Sequence, residues 1–515
     1  MKHGFSRRDF LKLAGLAPLG FIAPPLIKKI GLPQLIQGEK KNVLVVVFDA
    51  FSAKNISMYG YERETTPNLS RLAKRATVYH NHYAAGSFTS PGTASLLTMT
   101  YPWTHRAFNF GAEVTKHIAS KSVFHAFDDY YRIGYTHNPL ANTLLRQFQR
   151  DIDEYIPREK LYINNDNLVL NLFTDDEDIA TVAWARDIKL SEGGYSYSLF
   201  LSHLYEKYQE SKIAAYKVKY PNGLPGINGG DYYTLEHGID WLGEHITELP
   251  QPFFSYVHFL PPHSPSRPRR EFIDVFAKDS WNPLDKTGDL FSQGYSNETL
   301  AKRRSRYDEF ILYVDSEFGR LINSLESSGH LENTWVVLTS DHGEMQERGI
   351  SGHTTPTFYE PIVRIPLMIF EPGQQTGRDI HTPTSAIDVM PTLLHVTGHG
   401  IPSWTEGTIL PPYAPANQKQ DEKEVYALSA RYDDPSLKLS EVTIMYIQGD
   451  YKLIYYLGYK ELETNGEHSQ LFNIKTDPEE LNDLSLTHKK IASELLAKLK
   501  NKLMEVNEPY PSSKS

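Results

Sequence analysis

Apolar residues in this chain gather into a few continuous runs separated by long mixed stretches. Residues 42–48 read N-V-L-V-V-V-F and end at Asp49. A run this apolar and β-branched fits a strand covered on both faces, as in a parallel sheet. Runs at 253–260, 335–338 and 365–370 read the same way. Between them, 307–325 spaces Phe310, Ile311, Val314, Phe318, Leu321 and Ile322 three and four residues apart, which predicts a helix with one buried face. Strands alternating with helices predict an α/β fold with a large, mostly parallel sheet flanked by helices. In such sheets functional residues collect at the carboxyl ends of the strands.

A Pro-rich and then charged connector spans 402–423. Beyond it, strand-like runs at 441–447 and 451–457 and a helical pattern at 488–504 predict a small antiparallel sheet with a packed helix. The segment 130–240 is less regular, rich in Asn, Asp, Tyr and Gly, and reads equally as pocket-shaping insertions or as surface decoration. The expected organisation is a leader at 1–38, a catalytic domain at 40–425 and an α+β subdomain at 426–515.

Length and charge narrow the picture. A chain of 515 residues exceeds one simple core and calls for a large domain with a smaller partner. A formal charge of −10 argues against a general nucleic-acid binder. With no cysteine, disulfides and thiolate metal sites are excluded. The N-terminus is more specific: Ser6-Arg7-Arg8-Asp9-Phe10-Leu11-Lys12 precedes an apolar stretch at 13–27. It resembles a twin-arginine export signal, which implies the export machinery as a partner and a periplasmic or extracellular destination. The stretch is short and holds three prolines, so no stable membrane span is expected.

Candidate chemistry sits where the predicted strands end. Asp49 closes the first run, and Asp341 and His342 close the run at 335–338. Carboxylates with one imidazole suit a hard divalent ion, and manganese, zinc, magnesium and calcium all fit. Taken singly, Asp49 reads equally as a cap for the next helix. Thr89 precedes Ser90-Pro91-Gly92, where 92–98 reads as a helix start. A metal-bound threonine hydroxyl is an activated nucleophile, and free N–H groups at a helix start attract an anion. The same pattern also describes a threonine helix cap. His263 and His353 lie in loops after strands, where either can bind an oxygen or protonate a leaving group; His258, inside its strand, reads as structural. Asp308 and Asp315 lie in the helical stretch and read as solvated or capping.

The motifs together resemble the sulfatase branch of the alkaline phosphatase superfamily. The resemblance rests on 42–49, Tyr59-Gly60-Tyr61, Thr66-Pro67-Asn68-Leu69, Thr339-Ser340-Asp341-His342-Gly343-Glu344, the signature Ile387-Asp388-Val389-Met390-Pro391-Thr392-Leu393-Leu394, and Leu471-Phe472-Asn473 with Asp477-Pro478-Glu479. It implies an ester hydrolase acting on an anionic substrate, with one divalent ion held by Asp49, Thr89, Asp341 and His342. It also implies catalytic roles for Thr89, His263 and His353.

Three positions depart from the family pattern. The formylglycine motif C/S-x-P-x-R is here Thr89-Ser90-Pro91-Gly92-Thr93, and threonine cannot be oxidised to an aldehyde. Ala50 stands in place of a second acidic residue, and no G-K-W-H-type segment follows Gly134-Tyr135. The departures favour direct attack by Thr89 on a phosphate mono- or diester, as in threonine-nucleophile members of the superfamily. Sulfate-ester hydrolysis without formylglycine, phosphotransfer and non-catalytic binding of an anionic glycan are the alternatives. No Asp-x-x-x-His spacing accompanies His263, so a second ion is not expected.

Overall fold

In the computed structural model, the described residues are 40–163, 204, 207–208, 210–227, 231–416, 423–462 and 466–512. The leader expected at 1–38 lies outside them. Strands β1 (Asn42–Phe48), β2 (Thr77–Tyr79), β3 (Tyr131–Thr136), β4 (Glu154–Tyr155), β5 (Phe253–Phe259), β6 (Thr334–Thr339), β7 (Leu367–Phe370) and β8 (Arg378–Ile380) form one eight-stranded sheet, ordered β8-β2-β7-β6-β1-β5-β3-β4. Every neighbouring pair is parallel except the two made by β7.

The alternation of β1 explains its continuous apolar run. Leu44, Val46 and Phe48 face one core with Phe310, Ile311, Val314 and Phe318 of the long helix at Asn297–Ser327. Val43, Val45 and Val47 face the opposite core with Leu96 and Leu97 of the helix Thr89–Thr98 and with Leu393 and Leu394 of the helix Val389–Val396. A period of two with both faces covered is the signature of a central strand in a three-layer sandwich.

Two expectations change. The run at 365–370 becomes an antiparallel strand rather than a parallel one. A parallel return needs a crossover spanning the sheet. Here the chain after β6 forms a short hairpin (Met345–Glu347 with Ile350–Gly352) and a single helical turn (Glu360–Val363), and then runs straight back as β7. The stretch after 130 is not only insertion, because β3 pairs with β5 and a helix follows at Pro139–Gln147. Arg132 and Gly134 hid that strand from its hydrophobic pattern. Residues 164–203 lie outside the described part.

Asp308 and Asp315 are buried rather than solvated. Asp308 accepts hydrogen bonds from Asn55, Tyr61 and Arg63. Asp315 takes the N–H groups of Asn68 and Leu69, capping the helix Pro67–Leu72 from another element. The C-terminal part has four antiparallel strands, β9 (Glu424–Ser429), β10 (Val442–Gln448), β11 (Tyr451–Leu457) and β12 (Glu467–Asn473). The helix Lys489–Asn507 packs on it through Leu495, Leu499 and Leu503, spaced one turn apart.

The hairpin after β6 is anchored by charge. Lys286 Nζ and Arg304 Nη2 each lie 2.9 Å from a different oxygen of buried Glu347. Burial alone would raise this carboxyl, but Lys286 and Arg304 hold it down to about 2. Because the folded value is depressed, the stabilisation is present above the ordinary value of 4.5 and fades as pH falls toward 2. Glu347→Gln removes the carboxylate shared by Arg304 and Lys286, the latter keeping Glu479 at 2.8 Å, and is expected to cost about 2 kcal/mol at pH 7. Urea denaturation should show a smaller gap between wild type and variant at pH 3 than at pH 7.

Candidate active site

Strand register gathers the site before any side chain is considered. Val47 pairs with Thr339, so continuing two residues sets Asp49 beside Asp341 at the carboxyl edge. On the other flank Phe48 pairs with Phe259, and Thr136 pairs with His258, which sets His137 and Asn138 at the same edge. Ala50 then turns the chain sharply in the left-handed region, at φ 57°. Its N–H lies 3.4 Å from Asp341 Oδ1, and its carbonyl accepts the Tyr307 hydroxyl.

Asp49, Asp341 and His342 are all buried, with one ligand atom from each within 4.8 Å of the others. Asp49 does not cap the following turn; Ser52 does, accepting from Lys54 N. Burial alone would raise Asp49, but His263, His258 and His342 hold its carboxyl well below the usual range. His342 Nδ1–H donates to the Gly343 carbonyl at 2.9 Å, which leaves Nε2 to face the carboxylates. That hydrogen bond fixes the tautomer a metal ligand needs. Burial would lower His342, yet Asp341 and Asp49 raise it to about 9. The two buried carboxylates therefore draw positive charge toward this point.

Thr89 is the first residue of its helix, which starts three residues before the expected 92. Pro91 is tolerated there because the first N–H groups of a helix have no internal acceptor. The helix carries no side-chain cap. Thr89 Oγ1 instead lies 3.3 Å from His342 Nε2 and 3.2 Å from Asn138 Nδ2. Thr89 therefore does not cap the helix, and its hydroxyl lies beside the cluster of Asp49, Asp341 and His342.

Gly92 lets this helix approach β6 so closely. A β-carbon there would stand 2.2 Å from the Asp341 carbonyl oxygen. Gly92→Ala must push the helix away from Asp341. Because displacing a reacting group by 1 Å costs on the order of 10²-fold, kcat/KM should fall by about that factor, together with the denaturation midpoint.

The two loop histidines reach the same place. His353 Nδ1 lies 2.7 Å from Glu344 Oε2, and its ring centroid is 4.3 Å from His342 and 4.9 Å from His263. Burial and the neighbouring His342 lower His353, while His353 itself holds Glu344 below the usual carboxylate range despite burial. His263 Nδ1 donates to the Ser264 carbonyl at 2.6 Å and stays partly exposed. All six residues singled out in the sequence, Asp49, Thr89, His263, Asp341, His342 and His353, thus converge at one edge of the sheet.

Three further residues join them. His258, read as structural, aims Nε2 at Asp49 Oδ2 (3.4 Å) and Asp341 Oδ2 (3.8 Å). Its inward direction follows from alternation along β5, a signal compatible with a core histidine as well. Asn138 caps the helix Pro139–Gln147 through Oδ1, which accepts from Leu140 and Ala141 N–H, while Nδ2 donates to Asp49 and Thr89. The Asn-Pro pair marked the cap in the sequence but not the second role. Glu344 was visible only as part of its motif.

The residues fit a divalent cation. Two carboxylates, a hydroxyl and an imidazole Nε2 form an oxygen-rich set, and Asp49 Oδ1 and His258 Nε2 are buried without a hydrogen-bond partner among the described residues. No helix among the described residues is long and apolar enough to cross a membrane.

Comparison with known proteins bears on this arrangement. The choline-sulfatase of Rhizobium meliloti (strain 1021) is 26% identical over 87% of this chain and 82% of its own length. The multifunctional alkaline phosphatase superfamily protein PehA of Trinickia caryophylli is 24% identical over 87% of this chain and 91% of its own. The phosphonate monoester hydrolase of Agrobacterium radiobacter has the same fold, with a TM-score of 0.65 at 17% identity, covering 91% of this chain and 96% of that one. Residues 354–509 match the C-terminal region of N-sulphoglucosamine sulphohydrolase. Residues 41–399 match the Sulfatase family, and the chain belongs to it as a sulfatase-family hydrolase of the alkaline phosphatase superfamily.

Proposed function

We propose that this protein is an exported, metal-dependent hydrolase that cleaves phosphate mono- or diesters through Thr89. The observation that carries the reading is the position of Thr89 Oγ1, on the first residue of a buried helix and beside His342 Nε2 and Asn138 Nδ2. Asp49, Asp341 and His342 would hold the ion with Thr89. A bound divalent ion supplies positive charge that favours the threonine alkoxide and offsets charge on the phosphoryl oxygens.

The chain's own groups account for the rest. Asn138 Nδ2 steadies Thr89 Oγ1 and Asp49 together. Attack by Thr89 passes its hydroxyl proton to His263 or His353, forms an O–P bond and breaks the bond to the leaving alcohol, which takes that proton. Glu344 fixes Nδ1–H of His353, leaving Nε2 as its exchanging atom. Water then attacks the phosphorus and gives up a proton that returns to Thr89 Oγ1 through the same histidine, which restores the hydroxyl and releases phosphate from a monoester or a phosphate monoester from a diester. Oxidation of threonine would give a ketone rather than an aldehyde, so a formylglycine route does not apply. The motif at 6–12, within the leader expected at 1–38, supports export by the twin-arginine route.

Sulfate-ester hydrolysis through the same threonine is the second reading, favoured by the likeness to choline-sulfatase. The test is the metal-analysed protein assayed on matched aryl phosphate monoesters, phosphodiesters and sulfate esters. Turnover of a phosphate ester supports the first reading. Turnover of the sulfate ester alone replaces it with the second.

A further inference from the structure

The rim beside Thr89 carries a patch that ester cleavage alone does not require. Phe88, the residue before Thr89, is buried and stacks on Phe110 at 6.3 Å between centroids, yet Phe110 itself is 60% exposed. Phe110 is held there from two sides. Gly111 N–H donates to Ser90 Oγ at 3.0 Å, and Asn109 Nδ2 donates to the carbonyls of Arg431 and Asp433 at 2.9 Å each. The turn after β9 brings in Arg431, whose guanidinium lies 5.7 Å from the Phe110 ring and 5.5 Å from the ring of Tyr432, which is 73% exposed. One Arg431 N–H reaches the carbonyl of Thr354, next to His353, at 3.2 Å.

The patch therefore spans the segments of the nucleophile and of a catalytic histidine. Among the described residues, no carboxylate pairs with Arg431. A guanidinium has five N–H donors, and one is accounted for here. Large aromatic faces left in water beside a site are not needed for folding, and with an unpaired guanidinium they fit a ring with an acidic substituent.

We infer that Phe110, Tyr432 and Arg431 form a leaving-group subsite for a ring that carries a second negative charge. The rings take the flat face of the leaving group, and Arg431 takes its carboxylate, sulfate or phosphate. This rests on the proposed function for where the reacting ester sits, and it assigns specificity rather than chemistry. An acidic sugar and a carboxylated aromatic ring share this chemistry, and the test separates them.

Binding is measured by calorimetry on metal-loaded Thr89→Ala protein, so that turnover plays no part. The probes are glucuronic acid 1-phosphate against glucose 1-phosphate, and carboxyphenyl phosphate against phenyl phosphate. At least one acidic probe should bind about tenfold or more tighter than its neutral counterpart, and Arg431→Ala should erase that preference, as expected for a charge-assisted hydrogen bond. Phe110→Ala should weaken the preferred probe by a similar factor. A preference in the sugar pair alone identifies a sugar acid, and one in the aryl pair alone an aromatic acid. Arg431→Gln replaces the alanine variant if that fails to fold. Equal affinities within both pairs, or a preference that survives loss of Arg431, would overturn the subsite. Absence of hydrolysis by the wild type would count against the proposed function only.

Discussion

Thr89→Ala should abolish turnover, lowering kcat/KM on the order of 10⁴-fold or more, while the protein keeps its metal. Both halves follow from the geometry. The change removes the hydroxyl and one methyl group, and the hydroxyl faces His342 and Asn138 rather than supporting its helix. Asp49, Asp341 and His342 remain in place to hold the ion. Elemental analysis after gel filtration, read beside steady-state kinetics, separates the two halves. Substantial activity in the variant, or loss of the ion with it, would contradict the assigned role. Thr89→Ser should retain part of the activity, since it keeps a hydroxyl on the same backbone atom.

Asp341→Ala should lose both activity and metal. Asp341 sits at the centre of the cluster, with Oδ1 near the N–H groups of Ala50 (3.4 Å) and His342 (3.1 Å), and Oδ2 near Thr93 Oγ1 (3.4 Å). Removing it deletes a proposed ligand and the carboxylate that the Ala50 N–H faces in the turn after β1. Loss of an outer-shell partner typically weakens metal binding about 10–100-fold, so loss of this charged carboxylate should exceed roughly 100-fold, whereas loss of the neutral Thr89 hydroxyl leaves both carboxylates and the imidazole to hold the ion. Metal titration of the apo protein reads this directly. An Asp341→Ala protein that binds metal normally would move the site elsewhere.

Much of the fold was legible because the central strands bury both faces, so that β1, β5 and β6 stand out as apolar runs. The direction of β7 was not legible, since an apolar tetrad reads the same whichever way it pairs. Strand β3 was hidden by Arg132, which pairs with Asp153 at the sheet edge, and by Gly134, whose missing side chain makes room for Ile152. At the site, Asp49, Asp341 and His342 could be singled out because each follows the end of an apolar run, and the fold brings them together. His258 and Asn138 were missed because each meets an ordinary structural pattern: one lies within a strand and the other caps a helix. Their second role depends on register across the sheet, which a single sequence does not display.

The central claim is that Thr89 itself becomes bonded to phosphorus during turnover. The most direct measurement is rapid acid quench of the metal-loaded enzyme during hydrolysis of an aryl phosphate ester, followed by peptide mass spectrometry across 84–98. The account predicts a phosphoryl group on Thr89, present during turnover, absent without metal, and absent when substrate is exhausted. Turnover with Thr89 unmodified at every time point, or with the phosphoryl group on another residue, would contradict it.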